Sequence, residues 1–172
     1  MPNWCNNYVS LSGPQEKIDE LIVELKKSAL PDQTYEIFNK LLPRPADQEE
    51  NWYDWNINNW GTKWDVNIDS YDVVDENTVT LSFDSAWSPP TNLYQSLEEQ
   101  GWVVDAFYNE EGMAFCGHYS DGEDDYYEYA NLTADEIQEQ IPSDIDDMFC
   151  ISEYRRDWEE QQIELGADEE DS

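Results

Sequence analysis

His118 is the only histidine in the chain, and Cys116 stands two positions before it. On a strand, positions i and i+2 share a face, so this pair could supply a thiolate nucleophile with its base, or half of a metal site. A small core cysteine beside a surface histidine explains the same spacing with fewer demands, since zinc would need Cys5 or carboxylates to converge on the pair. The three cysteines, Cys5, Cys116 and Cys150, are odd in number and widely spaced, which predicts reduced thiols. Asp121-Gly122-Glu123-Asp124-Asp125 has the composition of a calcium loop without the ligand spacing or closing glutamate of an EF-hand. Paired carboxylates for glycoside hydrolysis rest on abundance alone. No Cys-x-x-Cys pair, Gly-rich phosphate loop or Gly-x-Ser-x-Gly elbow occurs. The expectation is a non-enzymatic chain with no cofactor and no metal.

Charge is the strongest signal. Against 41 Asp and Glu stand 8 Lys and Arg, a formal net charge of −33. Residues 63–172 hold 31 of the acids and only Lys63, Arg155 and Arg156 as bases. Such a field repels nucleic acid and anionic membrane and speeds encounter with basic surfaces. Duplex DNA carries one charge per 1.7 Å or so of axis, so the surplus equals that of about 56 Å of duplex. Solubility asks for a net charge of only about 2–8, and self-repulsion destabilises a fold, so the excess needs a reason. Halophilic adaptation is a poor one, because Asn, Gln, Ile and Tyr are abundant and 5 Lys outnumber 3 Arg.

Length and aromatic content predict one folded domain with additions: 172 residues, 14% aromatic, including 8 Trp and 11 Tyr. The absence of a long apolar run and of a basic, apolar leader predicts a cytoplasmic protein. Asn7, Val9 and Leu11 alternate as a first strand, and Pro14 opens a helix whose Ile18, Leu21, Ile22 and Leu25 form one apolar stripe. Residues 31–61 read as an insertion, helical through Trp52, Trp55 and Asn59. Trp64, Val66 and Ile68 alternate as a second strand, and Val79, Leu81 and Phe83 as a third, across a turn at Asp75-Glu76-Asn77. A helix capped by Ser88 runs through Leu93, Tyr94 and Leu97 to Gly101, followed by a fourth strand over 102–108. Asn109-Glu110-Glu111-Gly112 turns back into a hairpin strand over 113–119. Strand, helix, strand, strand, helix, strand is the split βαβ order, so the expected class is α+β, ferredoxin-like, over residues 1–120.

Residues 121–172 read as an acidic extension: a linker over 121–125, an aromatic strand at Tyr126, Tyr127 and Tyr129, then a helical tail. If 143–165 is one helix it is about 34 Å long, comparable to one turn of duplex. On its wheel Asp146, Glu153, Asp157, Glu160 and Glu164 fall within about 40° of one line. Met148, Ile151, Tyr154, Trp158 and Leu165 lie about 120° away, which predicts that they dock the helix and leave the acids in solvent.

The tryptophans Trp4, Trp52, Trp55, Trp60, Trp64 and Trp87 could stack bases or a flat ligand. Nucleic-acid platforms need basic neighbours, and only Lys63 is close in sequence, so core packing is the better account. Met1-Pro2-Asn3-Trp4-Cys5-Asn6-Asn7, Trp52-Tyr53-Asp54-Trp55, Asn59-Trp60-Gly61-Thr62-Lys63-Trp64-Asp65 and Ala86-Trp87-Ser88-Pro89-Pro90 resemble the YubB-type ferredoxin-like domain family of phage and plasmid proteins. That resemblance spans residues 1 to 105 or so and implies a ferredoxin-like core and a mobile-element origin. It implies no activity, and the acidic tail lies outside it. The leading expectation is a DNA mimic. Asp121, Glu123, Asp124, Asp125, Asp146, Glu153, Asp157, Glu160 and Glu164 would then block a basic nucleic-acid-binding host protein such as a CRISPR effector or restriction nuclease. A binding module using the Trp-rich insertion, with acidity serving solubility, is the alternative; an enzyme using Cys116 and His118 is the third.

Overall fold

A computed structural model describes residues 2–28 and 36–170, the last four by backbone alone. The first elements are β1 (Trp4–Ser12), α1 (Gln15–Ser28), α2 (Ile37–Leu41), a 3-10 turn (Ala46–Gln48) and α3 (Trp52–Asn59). β2 (Ser70–Asp75), β3 (Thr78–Ala86), α4 (Thr91–Glu99), β4 (Val103–Glu110), β5 (Phe115–Ser120) and β6 (Glu123–Glu128) follow. α5 (Ala134–Gln140), α6 (Ser143–Phe149) and α7 (Ile151–Glu170) end the chain. The chain divides into two compact units between Tyr126 and Tyr127. Among the described residues no helix is long and apolar enough to cross a membrane.

The first unit is α+β, built on a six-stranded antiparallel sheet of order β2-β3-β1-β4-β5-β6. β1 pairs with both β3 and β4, setting Val9 opposite Leu81 and Ala106, and Leu11 opposite Val79 and Val104. Period-two alternation turns these residues to one face, where they are buried with Ile18, Leu21 and Leu25 of α1 and Leu93, Tyr94 and Leu97 of α4. Ile37, Phe38 and Trp60 extend the same core, each 1% exposed. Burying each such side chain contributes roughly 1.5–3 kcal/mol before chain entropy is counted.

Several boundaries differ from the sequence expectation, each for a local reason. The alternation at Trp64, Val66 and Ile68 is not a strand: β2 begins at Ser70, because Asp65 turns inward to accept the backbone N–H groups of Phe38, Asn39 and Val66 at 2.8, 2.8 and 2.7 Å. Ser88 does not cap α4; its hydroxyl donates to the Gly61 carbonyl at 2.8 Å, and Pro90 precedes the helix. β4 continues to Glu110, whose carboxylate accepts the N–H groups of Gly112 and Met113 at 2.6 and 3.1 Å, so the hairpin turn lies over 111–114. The expected acidic linker is mostly strand. Asp121 and Gly122, at φ 51° and 78°, make a two-residue turn of the tight hairpin kind, and Glu123, Asp124 and Asp125 enter β6.

In the second unit, the single helix expected over 143–165 is broken. Cys150 adopts the left-handed conformation, φ 54° and ψ 40°, ending α6 and letting α7 start in a new direction.

Candidate functional site

α7 carries the acidic stripe in shortened form. Glu153, Asp157, Glu160 and Glu164 are exposed and fall on one side of the helix, spanning about 17 Å of its axis. No ion pair or side-chain hydrogen bond among the described residues involves them. The two nearby cations are used within the unit. Arg155 donates to the Leu132 carbonyl at 2.6 Å, and Arg156 pairs with Asp135 at 3.2 Å. Glu159, off the stripe, accepts the Ala134 N–H at 2.9 Å at the start of α5. The stripe is therefore an uncompensated row of four carboxylates.

Asp146 is not part of it. Its side chain is buried, accepting the Ser152 N–H and hydroxyl, both at 2.7 Å. Ser152 lies in the first turn of α7, where N–H groups lack helical partners and the helix dipole favours a negative charge, so Asp146 caps the helix across the break. The expected docking face is corrected as well. Of its residues only Ile151 is buried, whereas Tyr154, Trp158 and Leu165 are 62%, 54% and 58% exposed and Met148 39%.

Asp121, Glu123, Asp124 and Asp125 form a second exposed group, in the first unit. Asp124 is fixed by the Tyr108 hydroxyl, which donates to it at 2.6 Å. The two lie two strands apart, and the ring crosses β5 over Gly117, Tyr108's register partner; a Cβ at Gly117 would stand 2.2 Å from the hydroxyl oxygen. Burial, reinforced by that hydrogen bond, raises the Tyr108 pKa, keeping it a donor.

Cys116 and His118 both lie on β5, in different surroundings. His118 stacks on Phe107 with ring centroids 4.1 Å apart and 4° between planes, and its Nε2 hydrogen-bonds Asp105. Cys116 is fully buried. Burial, with the charge of Glu110 nearby, pushes the Cys5 thiol well above its usual pKa, away from the reactive thiolate. Among the described residues no three His, Cys, Asp or Glu side chains are grouped to hold a metal ion.

Core packing, expected for the tryptophans, holds for Trp60 and partly for Trp55, and fails for the rest. Trp4, Trp52, Trp64 and Trp87 are 48%, 37%, 37% and 44% exposed, and Tyr53 is 47% exposed. Trp64 lies between Trp87 and Trp4, with centroids 5.9 and 6.4 Å away.

No family model matches the chain, and no curated protein does. Among solved structures the chain is similar to protein api92 from Yersinia pseudotuberculosis, of the DUF1281 family: TM-score 0.51 and 12% identity, over 75% of this chain and 98% of that one. At that identity the likeness is one of fold.

Proposed function

We propose that this is a non-enzymatic acidic binding protein of a phage or mobile element, acting in the host cytoplasm as a DNA mimic that occupies the basic channel of a defence protein such as a CRISPR effector or restriction nuclease. The observation that carries this reading is the uncompensated row Glu153, Asp157, Glu160 and Glu164 on α7. Carboxylates at i, i+4, i+7 and i+11 recur every 4.5–6 Å or so along the axis, a regular line of charge on a rigid rod. A basic groove that meets them releases the same kind of counterions that a nucleic acid would displace. Asp121, Glu123, Asp124 and Asp125 add a second, separately held charged group.

A ferredoxin-like core and YubB-type membership belong to the same proposal. The run β4-β1-β3-β2 in the sheet, with α1 after β1 and α4 after β3, supports the split βαβ reading. The four quoted motifs support the family.

The test is capture of partners from a bacterial host lysate, followed by affinity measurement with the recovered protein. Four mimicked phosphates predict a loss of about 100-fold in affinity between 50 and 200 mM salt, and displacement by duplex DNA. Reversing Glu153, Asp157 and Glu160 to Lys abolishes binding on this reading. Undiminished affinity in that variant, with α7 intact by circular dichroism, sinks it.

A further inference from the structure

Lys63 is one of only 8 basic residues among 41 acids, yet among the described residues no carboxylate pairs with it. Its ammonium instead faces three aromatic rings, 4.7 Å from the Trp64 centroid and 5.5 Å from those of Tyr53 and Trp87. These are cation–π distances, and the three rings remain substantially exposed around a half-buried lysine.

The rings come from three separate segments, and buried polar side chains tie down the backbone next to two of them. Asn56, 2% exposed, donates to the Lys63 carbonyl at 2.8 Å. Thr62, fully buried, donates to the Ala86 carbonyl at 2.9 Å, next to Trp87. Trp87 itself sits at φ 64°, a left-handed conformation that is unfavourable for a bulky residue and that persists only where surroundings enforce it. Strain, exposure and a built scaffold at one place mark a binding surface rather than leftover core.

We propose that Tyr53, Trp64 and Trp87 form a cation site that Lys63 fills at rest and that an arginine guanidinium of a protein partner takes over on binding. The resident ammonium already shows which charge the rings accept. A planar guanidinium stacks on indole better than an ammonium does and is more weakly hydrated, so the exchange favours arginine. Charge selects the same occupant: the unit carrying the site has 25 acids and 6 bases, a field that draws in cations and keeps anions out. Lys63 is then a placeholder, whose flexible stem lets it swing into solvent. The occupant's identity rests on the basic partner proposed above, but the site lies in the other compact unit from α7 and is tested apart from it.

The probe is N-acetylarginine amide, titrated into the full chain in 0.3 M NaCl, where loose charge attraction is screened. Indole N–H resonances, assigned by single Trp-to-Phe variants, are the readout. The Trp64 and Trp87 signals are expected to shift saturably while that of buried Trp60 stays still. Lys63→Ala should lower the half-saturating concentration about threefold to fivefold by removing the resident competitor, and Lys63→Met should do the same. Trp64→Ala should remove the response, and the α7 charge reversal should leave it unchanged. Weaker arginine binding in both Lys63 variants would overturn the proposal, as would a saturable response to N-acetylglutamate amide in its place or no saturable shift at all.

Discussion

Gly117 is the residue whose absence of a side chain does most. It lies in the middle of β5, where glycine weakens a strand, and the Tyr108 ring occupies the space its Cβ would take on the way to Asp124. The added methyl of Gly117→Ala would also meet the Asp125 carbonyl at 2.5 Å, so backbone and ring must both shift. Urea unfolding should register a loss of about 1–3 kcal/mol, the range of an overpacked core, whereas Tyr108→Phe should cost about 0.5–1.5 kcal/mol as one lost hydrogen bond. Equal losses in the two variants would mean that steric crowding at β5 is not the issue. None of this was legible from sequence, because a glycine's reason lies in its cross-strand partner. Asp146 is the same lesson in reverse. Its position on the helical wheel is that of a stripe residue, and only the break at Cys150 turns it inward.

Elements were easier to read where one face meets the core. The stripe of α1, the alternation of β1 and β3 and the apolar side of α4 were all evident, since burial there follows the 3.6 or 2.0 period of the backbone. Local signals mislead at several points, among them Asp121-Gly122, a hairpin turn within an acidic run, and the 143–165 pattern, whose wheel holds only for a continuous helix. For the tail, periodicity could not separate a docked face from an open one, as the exposure of Tyr154, Trp158 and Leu165 demonstrates. The consequence for α7 is that its start depends on Asp146. Asp146→Ala removes the acceptor from both the Ser152 N–H and its hydroxyl and should cost about 1–2 kcal/mol, with helical signal lost from the first turn of α7 in hydrogen exchange. Glu153→Ala, at an exposed position without a hydrogen-bond partner, should leave that protection unchanged. If both variants behave alike, Asp146 belongs with the stripe after all.

At the scale of the whole molecule, −33 charges must be carried by a fold that repulsion opposes, and two carboxylates with raised pKa respond to pH in the same sense. Burial raises the pKa of Asp65 from its ordinary 3.8 to about 6, against the lowering effect of the three N–H groups it accepts. Burial, then the charge of Asp84, raises that of Asp69. A carboxyl whose pKa is higher in the folded than in the unfolded chain takes up its proton first in the folded state. Its contribution to stability is therefore complete below 3.8 and is lost as pH climbs through about 6. Relief of self-repulsion acts in the same direction as carboxylates protonate. The urea midpoint should thus rise between pH 7.5 and pH 5, opposite to the behaviour of a protein held by salt-bridged acids. Asp65→Asn should flatten that rise by about 1 kcal/mol, whatever its effect on absolute stability, because the variant has no proton to take up. Parallel pH profiles for the two proteins would remove Asp65 from the account and leave surface repulsion alone. A fold that gains stability as its charge falls is one whose acidity works against it.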